Sequence, residues 1–138
     1  MFRKIMVPVD LGHLDRLQNA LDTAGKLSGL YDAPVTYIAV TTETPSEHAR
    51  TPDEFQKKLE AFAADQAGTH GIAEADARSY ASHDPSADLD DALMNAVSET
   101  GADLVIIGSH KPGFAEHIFA SHAGHMATHA PVSVMVVR

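Results

Sequence analysis

The stretch Leu104-Val105-Ile106-Ile107, closed by Gly108, is an unbroken apolar run of strand length. A run without polar alternation is typical of a strand buried on both faces, as in parallel sheets covered by helices. Similar apolar runs occur at residues 5–9, 35–40 and 132–137, and a weaker one at 77–82. The sequence therefore predicts five strands.

Four segments of helical period separate these strands. In the first, apolar residues recur at three- and four-residue steps over 14–27, and the helix is expected to end near Ser28-Gly29. The second and third begin at Thr51-Pro52 and Asp84-Pro85, each a capping residue followed by proline. The fourth covers residues 121–129. Strands and helices thus alternate along the chain.

The alternation predicts an α/β fold with a five-stranded parallel sheet and helices on both faces. The chain has 138 residues, of which 44% are hydrophobic and 21% charged, and we expect residues 1–138 to form a single domain. Ligands of such sheets bind beyond the carboxyl ends of the strands, where the strand order reverses. Residues 10–13, 40–43 and 108–121 are therefore the expected site segments.

Composition excludes several classes of function. Asp and Glu number 19 against 10 Lys and Arg, and a net charge of −9 disfavours nucleic acid as a partner. Cysteine is absent from the sequence, which excludes disulfides, thiolate zinc sites and cysteine nucleophiles. The sequence has neither an apolar stretch of about 20 residues nor a signal-peptide core, so we expect a cytoplasmic protein without membrane insertion.

Two glycine-containing turns are candidates for nucleotide-binding motifs. The turn Asp10-Leu11-Gly12-His13 has one glycine where the dinucleotide fingerprint needs three. The segment from Gly108 to Gly113 has Walker A spacing, but Phe114 and Ala115 follow in place of Lys and Ser or Thr, which excludes that motif. For Asp10 two interpretations stay open: an acceptor for ribose hydroxyls, or the cap of a helix or turn.

Histidines are frequent, with nine in the chain. His122, His125 and His129 would share one face of the last helix, where they could bind a metal or form a solvated or interfacial surface. No acidic or cysteine ligand falls in that stripe, so the surface is favoured and no metal site is expected. No catalytic residue is assigned either, because no defensible triad or base can be defined from spacing.

Three segments together resemble the universal stress protein family over essentially the whole chain. They are the opening Ile5–Asp10, the strand Tyr37–Val40, and the end of the chain, from Asp103–His110 through His129–Val137. The resemblance implies a Rossmann-like fold of the adenine nucleotide alpha hydrolase type, and a homodimer formed through the C-terminal strand. In one branch of the family it also implies ATP binding through the pattern G-x2-G-x9-G-[S/T].

The chain departs from that pattern. Gly108 keeps the first glycine, Lys111 holds the second position, and the third falls one residue early on Ala120, while Ser121 keeps the hydroxyl. By position in the family, Asp10 would meet the ribose or adenine, the Val40 backbone would read the adenine edge, and Gly108, Lys111 and Ser121 would line the ribose and phosphates. The full set of expected binding residues is Pro8, Val9, Asp10, Val40, Gly108, Ser109, His110, Lys111, Ser121 and His122.

The resemblance predicts a stress-response regulatory protein that binds ATP, ADP or AMP, with Mg²⁺ as an optional companion, and has an unidentified protein partner. Two alternatives stay open. One is an interaction or scaffold protein of the same fold without nucleotide. The other is a slow ATPase or autophosphorylating protein, although a base near the γ-phosphate and a metal-binding carboxylate pair are not recognisable in the sequence.

Overall fold

Strands and helices alternate as predicted. The computed structural model describes residues 1–47, 49–109 and 118–138, with the side chains of the last range from residue 122 onward. The elements in chain order are β1 (Ile5–Pro8), a 3₁₀ helix (Leu11–Arg16), α1 (Gln18–Tyr31), β2 (Val35–Thr42), α2 (Pro52–His70), β3 (Ala75–Ser82), α3 (Pro85–Thr100), β4 (Leu104–Gly108), α4 (Ile118–His129) and β5 (Ser133–Val137). Among the described helices, none is both long and apolar enough to cross a membrane.

The five strands form one parallel sheet in the order β3-β2-β1-β4-β5. The chain moves outward from β1 through β2 to β3, and then crosses back to place β4 on the other side of β1. The strand order therefore reverses between β1 and β4, which is where a ligand crevice is expected in this kind of sheet. The predicted α/β class and parallel five-stranded sheet are confirmed.

Helices cover both faces of the sheet, and each face has its own core. On one face α1 and α2 contribute Leu21 and Leu59 to a cluster that also holds Ile5 of β1. On the other face α3 contributes Leu93 to a cluster that holds Met6 of the same strand. Burial of successive residues on opposite faces explains why the central strands are apolar without alternation.

The predicted end of the first helix was wrong. Helix α1 continues past Ser28-Gly29 to Tyr31, and Asp32 ends it in the left-handed conformation at φ 52°. Aspartate is one of the few residues besides glycine that adopt this conformation at low cost, so Gly29 is not needed as the cap. The beginning also differs, because residues 11–16 form a separate 3₁₀ helix before α1.

A carboxylate ties the beginning of β1 to the beginning of β4. The backbone N–H groups of Arg3 and Lys4 donate to the Asp103 carboxylate at 2.9–3.1 Å. The Lys4 carbonyl in turn accepts from the N–H groups of Asp103 and Leu104. Burial alone would raise the pKa of Asp103, but the N–H groups of Lys4 and Arg3 stabilise the carboxylate and hold the pKa below its ordinary value.

We expect Asp103→Asn to destabilise the protein in a pH-dependent way. A pKa that is lower in the folded state gives stability above the unfolded pKa, and this stability is lost as pH falls through the folded pKa. The difference in urea midpoint between wild type and Asp103→Asn should therefore be largest near neutral pH and shrink below about pH 4. The exposed Asp91→Asn on α3 is the control. A difference in urea midpoint between wild type and Asp103→Asn that is the same near neutral pH and below about pH 4 would contradict the stabilising role of the Asp103 carboxylate.

Helices α1 and α2 approach each other closely at Gly25. A Cβ at this position would lie 2.6 Å from Cβ of His70, an atom that cannot move without its helix. Gly29, one turn further along α1, has nothing within 4 Å of the position that a Cβ would take. The two glycines therefore differ in packing although they lie on the same helix.

Gly25→Ala should lower the free energy of unfolding by about 2 kcal/mol, because α1 and α2 must separate to admit the methyl group. Gly29→Ala is the matched control and should raise the free energy by about 0.5–1 kcal/mol, since alanine is the better helix former. Urea unfolding of the two variants beside wild type measures both values. A Gly25→Ala variant as stable as Gly29→Ala would refute the close approach.

Candidate functional site

A cavity of about 240 Å³ opens at the carboxyl ends of β1 and β2. Three of the sequence-predicted residues, Val9, Asp10 and Val40, border it. The first turns of α2 and α3 close its other side. The described lining residues are Val9, Asp10, Leu11, Val40, Thr41, Thr42, Ser46, Phe55, Pro85, Ser86 and Leu89.

The cavity combines apolar walls with a few hydroxyl groups. Phe55 of α2 and Leu89 of α3 are buried and present apolar side chains, and Val40 adds a third. Hydroxyl groups come from Thr42, which is hydrogen-bonded to Thr44, and from other lining residues. Apolar walls with few polar groups are typical of sites that bind small molecules.

The cavity walls from α2 and α3 were not predicted as site residues. Neither Phe55 nor Leu89 is among the expected binding residues. Thr51 caps α2 by accepting from the Glu54 N–H at 3.1 Å, and Asp84 caps α3 by accepting from the Ala87 N–H at 3.2 Å. Both capped helices start after strands that end at the same edge of the sheet. The two cap-and-proline motifs could therefore have predicted that the starts of α2 and α3 border the site.

Asp10 has both of its carboxylate oxygens in local contacts. Oδ1 accepts from the Gly12 N–H at 2.9 Å, and Oδ2 lies 2.8 Å from Nδ1 of His13. The interpretation of Asp10 as a cap is therefore confirmed, and the same carboxylate lies at the cavity. His13 was not among the predicted site residues, although it stands three positions from Asp10 in the turn.

Pro8 is buried in β1 and is not among the described lining residues. Its place in the sheet gives it another role. The N–H groups of Ile5 and Val9 donate to carbonyls of Pro34 and Ile38 on the β2 side. The backbone N–H groups of successive residues point alternately toward the two neighbouring strands. The backbone nitrogen of Pro8 therefore points toward β4, and proline has no N–H to donate there. Pro8 thus cannot extend the short pairing of β1 with β4, whose register covers Ile5 with Leu104 and Met6 with Val105.

At the end of β4, Gly108 has a packing role. A Cβ there would lie 2.6 Å from Cδ2 of Leu17, so the missing side chain makes room for that leucine. Ser109 is half-buried and its N–H donates to the Val137 carbonyl at 2.7 Å. Neither residue lines the described cavity. The predicted residues His110 and Lys111 lie outside the described residues.

Ser121 lies in the first turn of α4, where the structure describes only its backbone. Nδ1 of His122 lies 2.5 Å from Oδ1 of Asp90 on α3, and Nδ1 of His125 lies 3.9 Å from Oδ2 of the same residue. The His125 and His129 rings stack with centroids 4.3 Å apart. Across residues 1–47, 49–109 and 118–138, no three His, Cys, Asp or Glu residues are arranged to hold a metal.

Known proteins resemble this chain in sequence and in fold. A model of the universal stress protein family matches residues 1–138. The chain belongs to the universal stress protein family. Universal stress protein G of Shigella flexneri and that of Escherichia coli O157:H7 are each 40% identical to it over 48 residues, which is 35% of this chain. The match spans about a third (34%) of the length of these curated relatives.

Solved structures of universal stress proteins share the fold of this family member. One from Archaeoglobus fulgidus has a TM-score of 0.70 at 23% identity, with 100% of both chains covered. A universal stress protein in complex with cAMP has a TM-score of 0.68 at 19% identity, covering 99% of this chain and 97% of that one. The Archaeoglobus fulgidus protein in complex with dAMP has 0.65 at 24% identity, covering 99% and 98%.

Proposed function

We propose that this universal stress protein binds an adenine nucleotide in the cavity beside Asp10 and Val40, and acts as a regulatory protein in the stress response. The observation that carries the proposal is the position of the cavity, which borders the carboxyl ends of β1 and β2 and has apolar walls. The cAMP and dAMP complexes of structurally similar family members support it.

In the proposed complex, the adenine ring lies between the apolar walls and meets backbone groups near Val40. A strand end offers a donor and an acceptor, which fit the adenine edge, whereas guanine reverses the pattern at position six. Asp10 keeps acceptor capacity beyond its bonds to Gly12 and His13, because each carboxylate oxygen has a second lone pair. Those lone pairs suit the hydroxyls of a ribose.

The phosphates would extend from the ribose toward the start of α4. The first turn of a helix offers free N–H groups and a positive dipole end, both of which favour an anion. Ser121 lies in that turn. By their positions in the family pattern, we assign Gly108, Ser109, His110, Lys111, Ser121 and His122 to this end of the proposed site. Val9 would form its floor, with Pro8 preceding it in the chain.

We expect ADP or ATP to bind at least about tenfold more tightly than GTP, because guanine would leave polar groups unpaired. Asp10→Asn keeps a side-chain oxygen for the Gly12 cap but loses the charge. It should weaken adenosine about tenfold and ADP by less, because it also removes a charge that repels phosphate. Asp15→Asn, in the same 3₁₀ helix, is the control. Calorimetric titration with and without Mg²⁺ measures these affinities, and equal binding of ADP and GTP would contradict the proposal.

A second candidate is an interaction protein of this fold that does not bind nucleotide. The observation that favours it is the loss of two motif glycines, at Lys111 and Ala120. Acid-quenching of freshly purified protein separates the candidates, since a nucleotide-binding protein should release bound nucleotide into the supernatant. Phosphate release from ATP with Mg²⁺ tests the remaining alternative of slow hydrolysis.

We also propose that two copies pair through β5, which forms one edge of the sheet. Met135 and Val136 are 38% and 40% exposed and are among the few exposed large apolar side chains that the structure describes. An apolar strand at the edge of a sheet is a template for pairing with a second strand. The family resemblance points to the same dimer.

Light scattering at micromolar concentration should give the mass of a dimer for the wild type. Met135→Lys should shift the mass toward the monomer, because a desolvated lysine at the strand edge opposes pairing. Leu30→Lys, at an apolar residue on α1 that is 70% exposed, is the control and should leave the mass unchanged. A monomeric wild type would refute the proposed dimer.

A further inference from the structure

The side chain of Gln56 on α2 is hydrogen-bonded to the backbone of β3, the other edge strand of the sheet. Its Oε1 accepts from the Ser79 N–H at 2.8 Å and from the Ser79 hydroxyl at 2.7 Å. Its Nε2 donates to the Ala77 carbonyl at 2.9 Å. The direction of the amide is fixed, since the N–H needs an acceptor and the carbonyl needs a donor.

These bonds reproduce those of a neighbouring strand. In a parallel pair, one residue donates its N–H to a carbonyl and accepts from the N–H two residues further along the opposite strand. Ala77 and Ser79 are separated in this way, and β2 lies on the other side of β3. The Gln56 amide therefore occupies the position that one residue of a sixth strand would take.

The amide is held in this position from its own helix. The second N–H of Gln56 donates to Oε1 of Glu60, one turn further along α2, at 3.1 Å. The start of α2 is fixed by the Thr51 cap. Gln56 is half-buried, so its bonds to β3 are partly shielded from water. The edge is thus closed by a side chain with little freedom to leave.

We propose that Gln56 closes the β3 edge to a second copy of this chain, so that the sheet can be extended only from β5. The strand β3 is eight residues long, ample for pairing if its outer groups were free. A sheet with both edges open would continue from copy to copy as an open chain of subunits. The closed edge would stop such growth, whatever the wild-type oligomer is.

Sedimentation velocity of the full chain over a range of concentrations tests the proposal. The average mass of Gln56→Ala should rise with concentration to at least about twice that of wild type, because its β3 edge is open. Lys57→Ala, the exposed neighbour on α2, is the matched control and should sediment like wild type. Gln56→Glu should also keep the wild-type mass, since a carboxylate at the edge repels a second strand even though it cannot donate to Ala77.

A second variant distinguishes edge pairing from general misfolding. Adding Ala81→Lys, at an exposed position of β3, to Gln56→Ala should restore the wild-type mass, because a charge at the edge blocks pairing. If the double variant stays heavy, or if folded Gln56→Ala keeps the wild-type mass at every concentration, the proposal fails. Hydrogen exchange on the wild type gives a test that needs no variant: rapid exchange of the Ser79 N–H would show that the edge is open.

Discussion

The pairing of β1 with β4 joins the two parts of the sheet, and the rest of the structure depends on it. The register of this pair covers Ile5 with Leu104 and Met6 with Val105, whereas that of β2 and β3 runs over eight residues. The bonds from Arg3 and Lys4 to the Asp103 carboxylate reinforce this short ladder at its amino end. Pro8 cannot extend it at the other, since its backbone nitrogen points toward β4 without an N–H. The β1–β4 pairing is therefore reinforced at its amino end and stops before the carboxyl end of β1, where Val9 and Asp10 border the cavity.

The cavity beside this junction is built from residues that also serve the core. Phe55 belongs to the core under α1 and α2, and Leu89 to the core under α3 and α4, yet both line the cavity. The Thr51 and Asp84 caps set where these two helices begin. Core packing therefore holds two of the apolar cavity walls in place, which would reduce the ordering cost of binding a ligand there.

Local patterns predicted the elements well, because burial of a strand on two faces and capping of a helix leave marks in consecutive residues. The run at 104–107 and the motifs at Thr51 and Asp84 are examples. Contacts between distant segments leave no such marks. Asp90 lies 32 residues from its partner His122, and Gln56 lies 23 residues from Ser79. Spacing along the chain could show that three histidines share a face, but not that a carboxylate on another helix meets one of them.

The charge of the chain bears on what kind of nucleotide site the proposal describes. A net charge of −9 opposes the approach of a polyanion, and Asp10 is the charged group among the described lining residues of the cavity. A carboxylate accepts from ribose hydroxyls but repels phosphate. Base and ribose contacts would therefore supply most of the binding free energy, and the phosphates would depend on short-range donors at the start of α4. In the proposal, then, the adenosine part of the ligand decides affinity, and the number of its phosphates is free to carry the regulatory signal.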